Sequence, residues 1–149
     1  MDDRAVTPAV THALTIGISA ILITGLMVGA GGLLDNQRTY VVENGLENVG
    51  GAVTGELVRI DQFDTDGVDA DVTFTTDHPE RVGGRTYNVV LEPGSPQSTL
   101  SLDATGESEL TVRYRFANET SVCESAVDGG EITVAFDVSE PCLELRDDS

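Results

Sequence analysis

Residues 40–60 read "YVVENGLENVGGAVTGELVRI", and their spacing decides the fold. Val42, Leu46, Val49, Val53, Leu57 and Ile60 lie four, three, four, four and three residues apart. That is the apolar stripe of an amphipathic helix. Glu43, Asn44, Glu47, Asn48, Glu56 and Arg59 fill the remaining faces. Gly45, Gly50, Gly51 and Gly55 interrupt the pattern, and each costs a helix up to ~1 kcal/mol relative to alanine. A bend near Gly50-Gly51 is compatible with that composition.

Working towards the N-terminus, no charged residue occurs between Arg4 and Asp35, a run of thirty residues. At ~1.5 Å per residue a helix over this run reaches ~40 Å, more than the ~30 Å of a bilayer core. A single span in lipid must satisfy its own backbone, so it is helical. The two segments join as one long helix from about Val6 to about Arg59. Residues 6–34 form a transmembrane or polymerisation segment, and residues 35–60 form its amphipathic continuation.

Working towards the C-terminus, "DQFDTDGVDAD" breaks the helix, so residues 61–71 read as an acidic linker. From residue 72 the period becomes two. Val72 and Phe74, Tyr87, Val89 and Leu91, and Leu100 and Leu102 alternate with polar residues. So do Leu110, Val112, Tyr114 and Phe116, then Ile132, Val134, Phe136 and Val138, then Leu143 and Leu145. "VCES" around Val122 adds a short edge segment. "HPERVGG", "EPGSPQ", "ATGES", "ANET" and "VDGG" separate the runs as turns. Residues 72–149 therefore form a head, either an antiparallel sheet or a small β-sandwich. The fold class is α+β: a long apolar helix, then a β-rich head.

Charge narrows the function. The chain carries 26 Asp+Glu against 8 Lys+Arg, all eight of them Arg, for a net charge of -18. Such a surface repels nucleic acid, which is excluded as a partner. Abundant Asp and Glu without Lys resembles the composition of proteins from salt-loving archaea, where salt screens the repulsion. No G-x-S-x-G, H-E-x-x-H or P-loop occurs. His12 lies in the apolar run and His78 in a turn, with no apparent catalytic partner. The sequence points away from an enzyme and implies no cofactor or metal. Asp61, Asp64, Asp66, Asp69 and Asp71 crowd the linker, but they do not fit an EF-hand register. The reading preferred there is an acidic turn over a Ca2+ site.

Three fates are open to the N-terminal run. It is a secretory signal cut before Gly31, a plain single-span anchor, or a processed helix that polymerises. The junction Asp3-Arg4-Ala5-Val6-Thr7-Pro8 bears on the choice. A basic-small pair just before an apolar helix, with Pro near its start, resembles the class III signal of archaeal type IV pilins. Many haloarchaeal members show Arg-Gly followed by Val-Ser-Pro, where this chain has Arg4-Ala5 followed by Val6-Thr7-Pro8. The resemblance implies a leader of residues 1–5, cut between Ala5 and Val6 by a prepilin peptidase. It implies a subunit, whether major or minor, of an archaeal type IV pilus or related filament that serves adhesion. Its partners would be membrane lipid and copies of itself or other pilins. The helix would cross the cell membrane once, with the head extracellular. The alternative is a membrane-anchored exported β-domain that does not polymerise.

Three further features follow from the sequence. Gly17, Gly25 and Gly29 allow close helix–helix approach, and Gly25 to Gly29 is a G-x-x-x-G; the alternative is relief of crowding in a lone span. Cys123 and Cys142 are compatible with one disulfide or with two free buried thiols. Asn118-Glu119-Thr120 is an N-glycosylation acceptor triplet, relevant if the head is exported.

Overall fold

The structure, a computed structural model, describes residues 6–62, 71–106 and 109–147, with side chains from residue 10 onward. The leader, with Arg4 and Ala5, lies outside the described residues. So does most of the acidic linker, with Asp64, Asp66 and Asp69. One helix, α1 (Val6–Asp61), precedes eight strands. These are β1 (Val72–Asp77), β2 (Arg81–Val82), β3 (Arg85–Glu92), β4 (Gln97–Ala104), β5 (Leu110–Ala117), β6 (Ser125–Asp128), β7 (Glu131–Asp137) and β8 (Cys142–Arg146). The α+β arrangement read from the sequence is the observed one. The chain divides into two compact units, Met1–Arg38 and Thr39–Ser149.

In the second unit the stripe has found its partner. Val42, Leu46, Val49, Val53, Leu57 and Ile60 are all buried, and they share one cluster with Tyr87, Leu91, Leu102, Val134 and Leu143. An amphipathic helix stabilises a fold mainly by burying such a face, since isolated helical propensity contributes little. The sequence divided this region into an amphipathic continuation and a separate head from residue 72. In the structure residues 39–61 belong to the head and line its core.

The strands form two antiparallel sheets. One has three strands in the order β1-β7-β8. In the other, β3 pairs on one side with β4, which pairs in turn with β5, and it also pairs with β2 and with β6. The inner edges of the two sheets are joined. Val122 bridges Leu143 in parallel, Cys123 N–H donates to Leu143 O at 2.9 Å, and Leu143 N–H donates to Ser121 O at 2.8 Å. Leu145 N–H donates to Ser125 Oγ at 2.9 Å. A disulfide between Cys123 and Cys142 (Cα–Cα 5.6 Å) holds the same seam.

Several expectations are corrected in detail. The edge segment expected at "VCES" is β6, displaced to Ser125–Asp128, with Val122 contributing only a bridge. β2 lies inside the expected turn "HPERVGG". Its hairpin with β3 turns on Gly83 and Gly84 at φ +57° and +82°, a conformation that other residues resist. Val138 does not continue the alternation of β7. Asp137 Oδ1 accepts the Ser139 N–H at 2.8 Å, which turns the chain and leaves Val138 40% exposed. β7 is also buried on both faces, because Thr133 and Ala135 are enclosed as well as Ile132, Val134 and Phe136.

The helix runs through Gly50-Gly51 without interruption, and the two glycines differ in kind. A Cβ on Gly50 would lie 2.4 Å from Tyr114 Cε2 and 2.8 Å from Leu102 Cδ1. A Cβ on Gly51 would meet nothing within 4 Å. Gly45 is also a close approach, since a Cβ there would lie 2.9 Å from Val82 Cβ. Tyr114 cannot easily retreat, because its hydroxyl donates to the Glu47 carbonyl at 2.7 Å. Gly50→Val is therefore expected to lower stability by about 1–3 kcal/mol through overpacking. Gly51→Ala should raise it by up to ~1 kcal/mol through helix propensity. Chemical denaturation of the full chain in detergent, followed by tyrosine fluorescence, measures both; equal effects at the two sites would contradict the close approach.

Candidate functional site

Residues 10–34 of α1 are the outstanding surface. Val10, Leu14, Ile16, Ile21, Leu22 and Leu26 are all exposed, Leu26 by 78%. The 18-residue window that qualifies the helix as long and apolar enough to cross a membrane has none of its surface buried. Water does not tolerate such a surface: at ~25 cal/mol per Å2 each exposed Leu or Ile forgoes about 1.5–3 kcal/mol. A helix that is apolar on all sides needs lipid or protein around it.

Its polar atoms suit either environment. Thr15 Oγ1 donates to Thr11 O at 2.8 Å, and Thr24 Oγ1 donates to Ala20 O at 2.8 Å. These hydroxyls are satisfied one turn back along their own helix, so they add little cost in hydrocarbon. Gly17, Gly25 and Gly29 differ from Gly45 and Gly50: a Cβ at any of the three would meet nothing within 4 Å. Nothing among the described residues requires glycine there.

The other residues singled out by sequence occupy separate places in the head. Cys123 and Cys142 are placed as a disulfide, with their Cα atoms 5.6 Å apart. Asn118 is half-buried beside a cleft of about 470 Å3, lined partly by Pro93, Pro96 and Ser121. Its Oδ1 accepts from Ser98 Oγ at 2.9 Å, and its Nδ2 donates to Thr120 O at 2.8 Å. The two described members of the acidic run are held by backbone amides. Asp61 accepts from Glu119 N–H at 3.0 Å and from Thr120 N–H at 2.7 Å, and Asp71 Oδ1 accepts from Val138 N–H at 3.1 Å. Among the described residues no group of three or more His, Cys, Asp or Glu is placed to hold a metal ion.

The sequence placed Asp61 in the acidic linker; it is the last residue of α1 and a positioning residue. It ties the end of α1 to the loop after β5. Its only signal was a carboxylate at a helix C-terminus, where the helix dipole disfavours negative charge unless amides compensate. Titration is likewise structural. Burial lifts the Tyr87 hydroxyl above its ordinary range while it donates to Pro79 O at 2.8 Å. Burial, with Glu47 nearby, does the same for Tyr114. Hydrogen bonds from Ser139 hold the Asp137 carboxyl below its usual range, helped by Arg146.

A family model described as "Family of unknown function (DUF7266)" matches residues 1–146, nearly the whole chain. The chain belongs to the DUF7266 family. No curated protein and no solved structure matches this DUF7266 protein. The family match takes in both the apolar segment and the head, so the two are parts of one family unit.

Proposed function

We propose that this DUF7266 protein is a pilin-like cell-surface subunit, anchored by a single apolar helix and able to assemble with copies of itself or other pilins into an adhesive filament. The observation that carries this reading is the divided use of α1. From Val42 to Ile60 its apolar stripe is filled by its own head, whereas residues 10–34 are apolar, uncovered and free of charge. A plain anchor needs the second property only.

Two observations support an exported head. The disulfide belongs to an oxidising compartment. The strongly acidic surface has nothing to gain from anionic lipid or nucleic acid. Under this reading Asn118 stands on the exported side and its acceptor triplet is a modification site. Cleavage by a prepilin peptidase between Ala5 and Val6 leaves α1 at full length with a free amine at its start. Lipid then stores the monomer, and sister helices replace lipid in the assembled state.

The N-terminus of the native protein tests this. Mass spectrometry of the mature chain should find Val6 first, and the chain should occur in filaments sheared from cells. A mature chain beginning at Gly31 would sink the reading, because the apolar segment would be gone. An uncut chain confined to membranes would leave an anchor that does not assemble.

A further inference from the structure

Asn118-Glu119-Thr120 is the one N-x-[ST] triplet in the chain. In the folded head all three of its residues are already bonded. Asn118 Oδ1 accepts from Ser98 Oγ at 2.9 Å, and Ser98 is fully buried. The same Ser98 Oγ accepts from Gly94 N–H at 3.2 Å, which ties the Asn118 amide to the turn between β3 and β4. Asn118 Nδ2 donates to Thr120 O at 2.8 Å. The Asp61 carboxylate accepts from Glu119 N–H at 3.0 Å and from Thr120 N–H at 2.7 Å.

These bonds depend on the fold. Ser98 lies 20 residues before Asn118, and Asp61 lies 58 before Glu119. β4 must pair with β5 before the first contact forms, since Ser98 stands opposite Phe116 in that ladder. The end of α1 must dock before the second forms. An unfolded chain has neither.

N-glycosyl transfer makes the opposite demand. Its donor is a saccharide activated by a phosphate at the anomeric carbon. The C1–O bond to phosphate breaks, a C1–Nδ2 bond forms, the phosphate leaves with the electron pair, and one Nδ2 proton passes to a base of the transferase. The Nδ2 lone pair is delocalised into its carbonyl, as in any amide, so the transferase must hold that amide while it reacts. It must also read Thr120, two residues on, because the triplet defines the acceptor. In the folded head both ends of the amide are taken, and so is the backbone between the two residues.

We propose that Asn118 accepts a sugar only while the head is open, and that docking of Asp61 on Glu119 and Thr120 closes the site. This rests on the exported head proposed above and adds the timing of its modification. A sugar attached beforehand is compatible with closure. Glycosylated Nδ2 keeps one hydrogen for Thr120 O, and Asn118 lines the cleft with Pro93, Pro96 and Ser121, which receives the sugar. In the closed head, transfer follows the fraction of molecules in which this joint is transiently open.

Timing is the test. The full chain is translated in vitro in detergent, with a purified transferase and a polyprenyl-phosphate-linked saccharide either present throughout or added after folding. Protease resistance reports folding, and intact mass reports the sugar. Modification should be at least about tenfold lower when the transferase comes late. Thr120→Ala should abolish it in the early reaction, which assigns the product to Asn118. Asp61→Ala should raise the late reaction several-fold. Asp71→Ala, which loses a bond of the same kind to Val138 N–H, should leave it unchanged. Chains modified early should reach the protease resistance of the unmodified protein; failure to do so would overturn the seat in the cleft. Equal modification early and late, or a D61A chain no more reactive than wild type, would overturn closure by Asp61. No product in either reaction would overturn Asn118 as an acceptor, while the position of the mature N-terminus would still decide the filament reading.

Discussion

Replacing Leu57 by alanine is expected to remove about 2–5 kcal/mol from the stability of the head, towards the upper end of that range. Leu57 is fully buried in the cluster that unites α1 with both sheets. The cost of such a truncation depends on how far the surroundings can collapse into the space. Here α1 is tethered on several sides of Leu57. Thr76 Oγ1 donates to Glu56 Oε1, Arg59 lies 5.0 Å over the Phe74 ring, and Asp61 accepts from Glu119 and Thr120. These contacts fix the helix in place, so it cannot readily shift to fill the cavity. Urea denaturation of the full chain in detergent measures the loss. Leu26→Ala is the contrasting variant: Leu26 is exposed and outside the head, so the head's unfolding midpoint should not move. A loss below about 1 kcal/mol for L57A would show that the helix is not the centre of the core.

Leu57 also marks what the sequence could and could not tell. The spacing of the six stripe residues identifies every fully buried apolar side chain of the described helix, because a period near 3.6 reports a face directly; Val58 packs against the same core half-buried. It does not report what that face meets. Following an apolar run that needs lipid, the same stripe reads equally as more anchor or as the heart of the head. Only the long-range pairing of strands far along the chain decides. The glycines show the same limit. Gly45 and Gly50 look like defects when helical propensity is considered alone, yet each permits a close approach to Val82 or to Tyr114 and Leu102. Gly51 and Gly55 have the identical propensity and no neighbour within 4 Å.

The strands were legible where one face meets water and the other the core, as in β3 and β5. β7 broke the rule because it is enclosed on both faces, and Thr133 and Ala135 are small enough to pass for outward residues. β2 was too short for any period to register. Of the candidate site, the apolar segment was plain from composition, since thirty residues without charge have few other uses. That β1 and β5 are the outermost strands was invisible, because strand order is a property of the folded chain.

Removing the disulfide by Cys123→Ala with Cys142→Ala should destabilise the head by about 3 kcal/mol, with a range of about 2–5. The sequence separation of 19 sets the entropic part, because the cross-link restrains a loop of that size in the unfolded chain. Location adds a structural consequence. The bond sits where the two sheets meet, beside the Val122–Leu143 bridge and the amides of Cys123 and Leu143. Without it, that seam is held by a few backbone bonds at the margin of each sheet, and it should open before either sheet unravels. Hydrogen exchange resolves this: the Cys123 and Leu143 amides should lose protection, while those in the β3–β4 ladder keep theirs until global unfolding. Reduced wild type and the double alanine variant should then share one denaturation midpoint. If the variant unfolds at the same denaturant concentration as the oxidised protein, the seam is held by packing alone. In that case the heads could bear load without an oxidising environment, and the disulfide would no longer support an exported head.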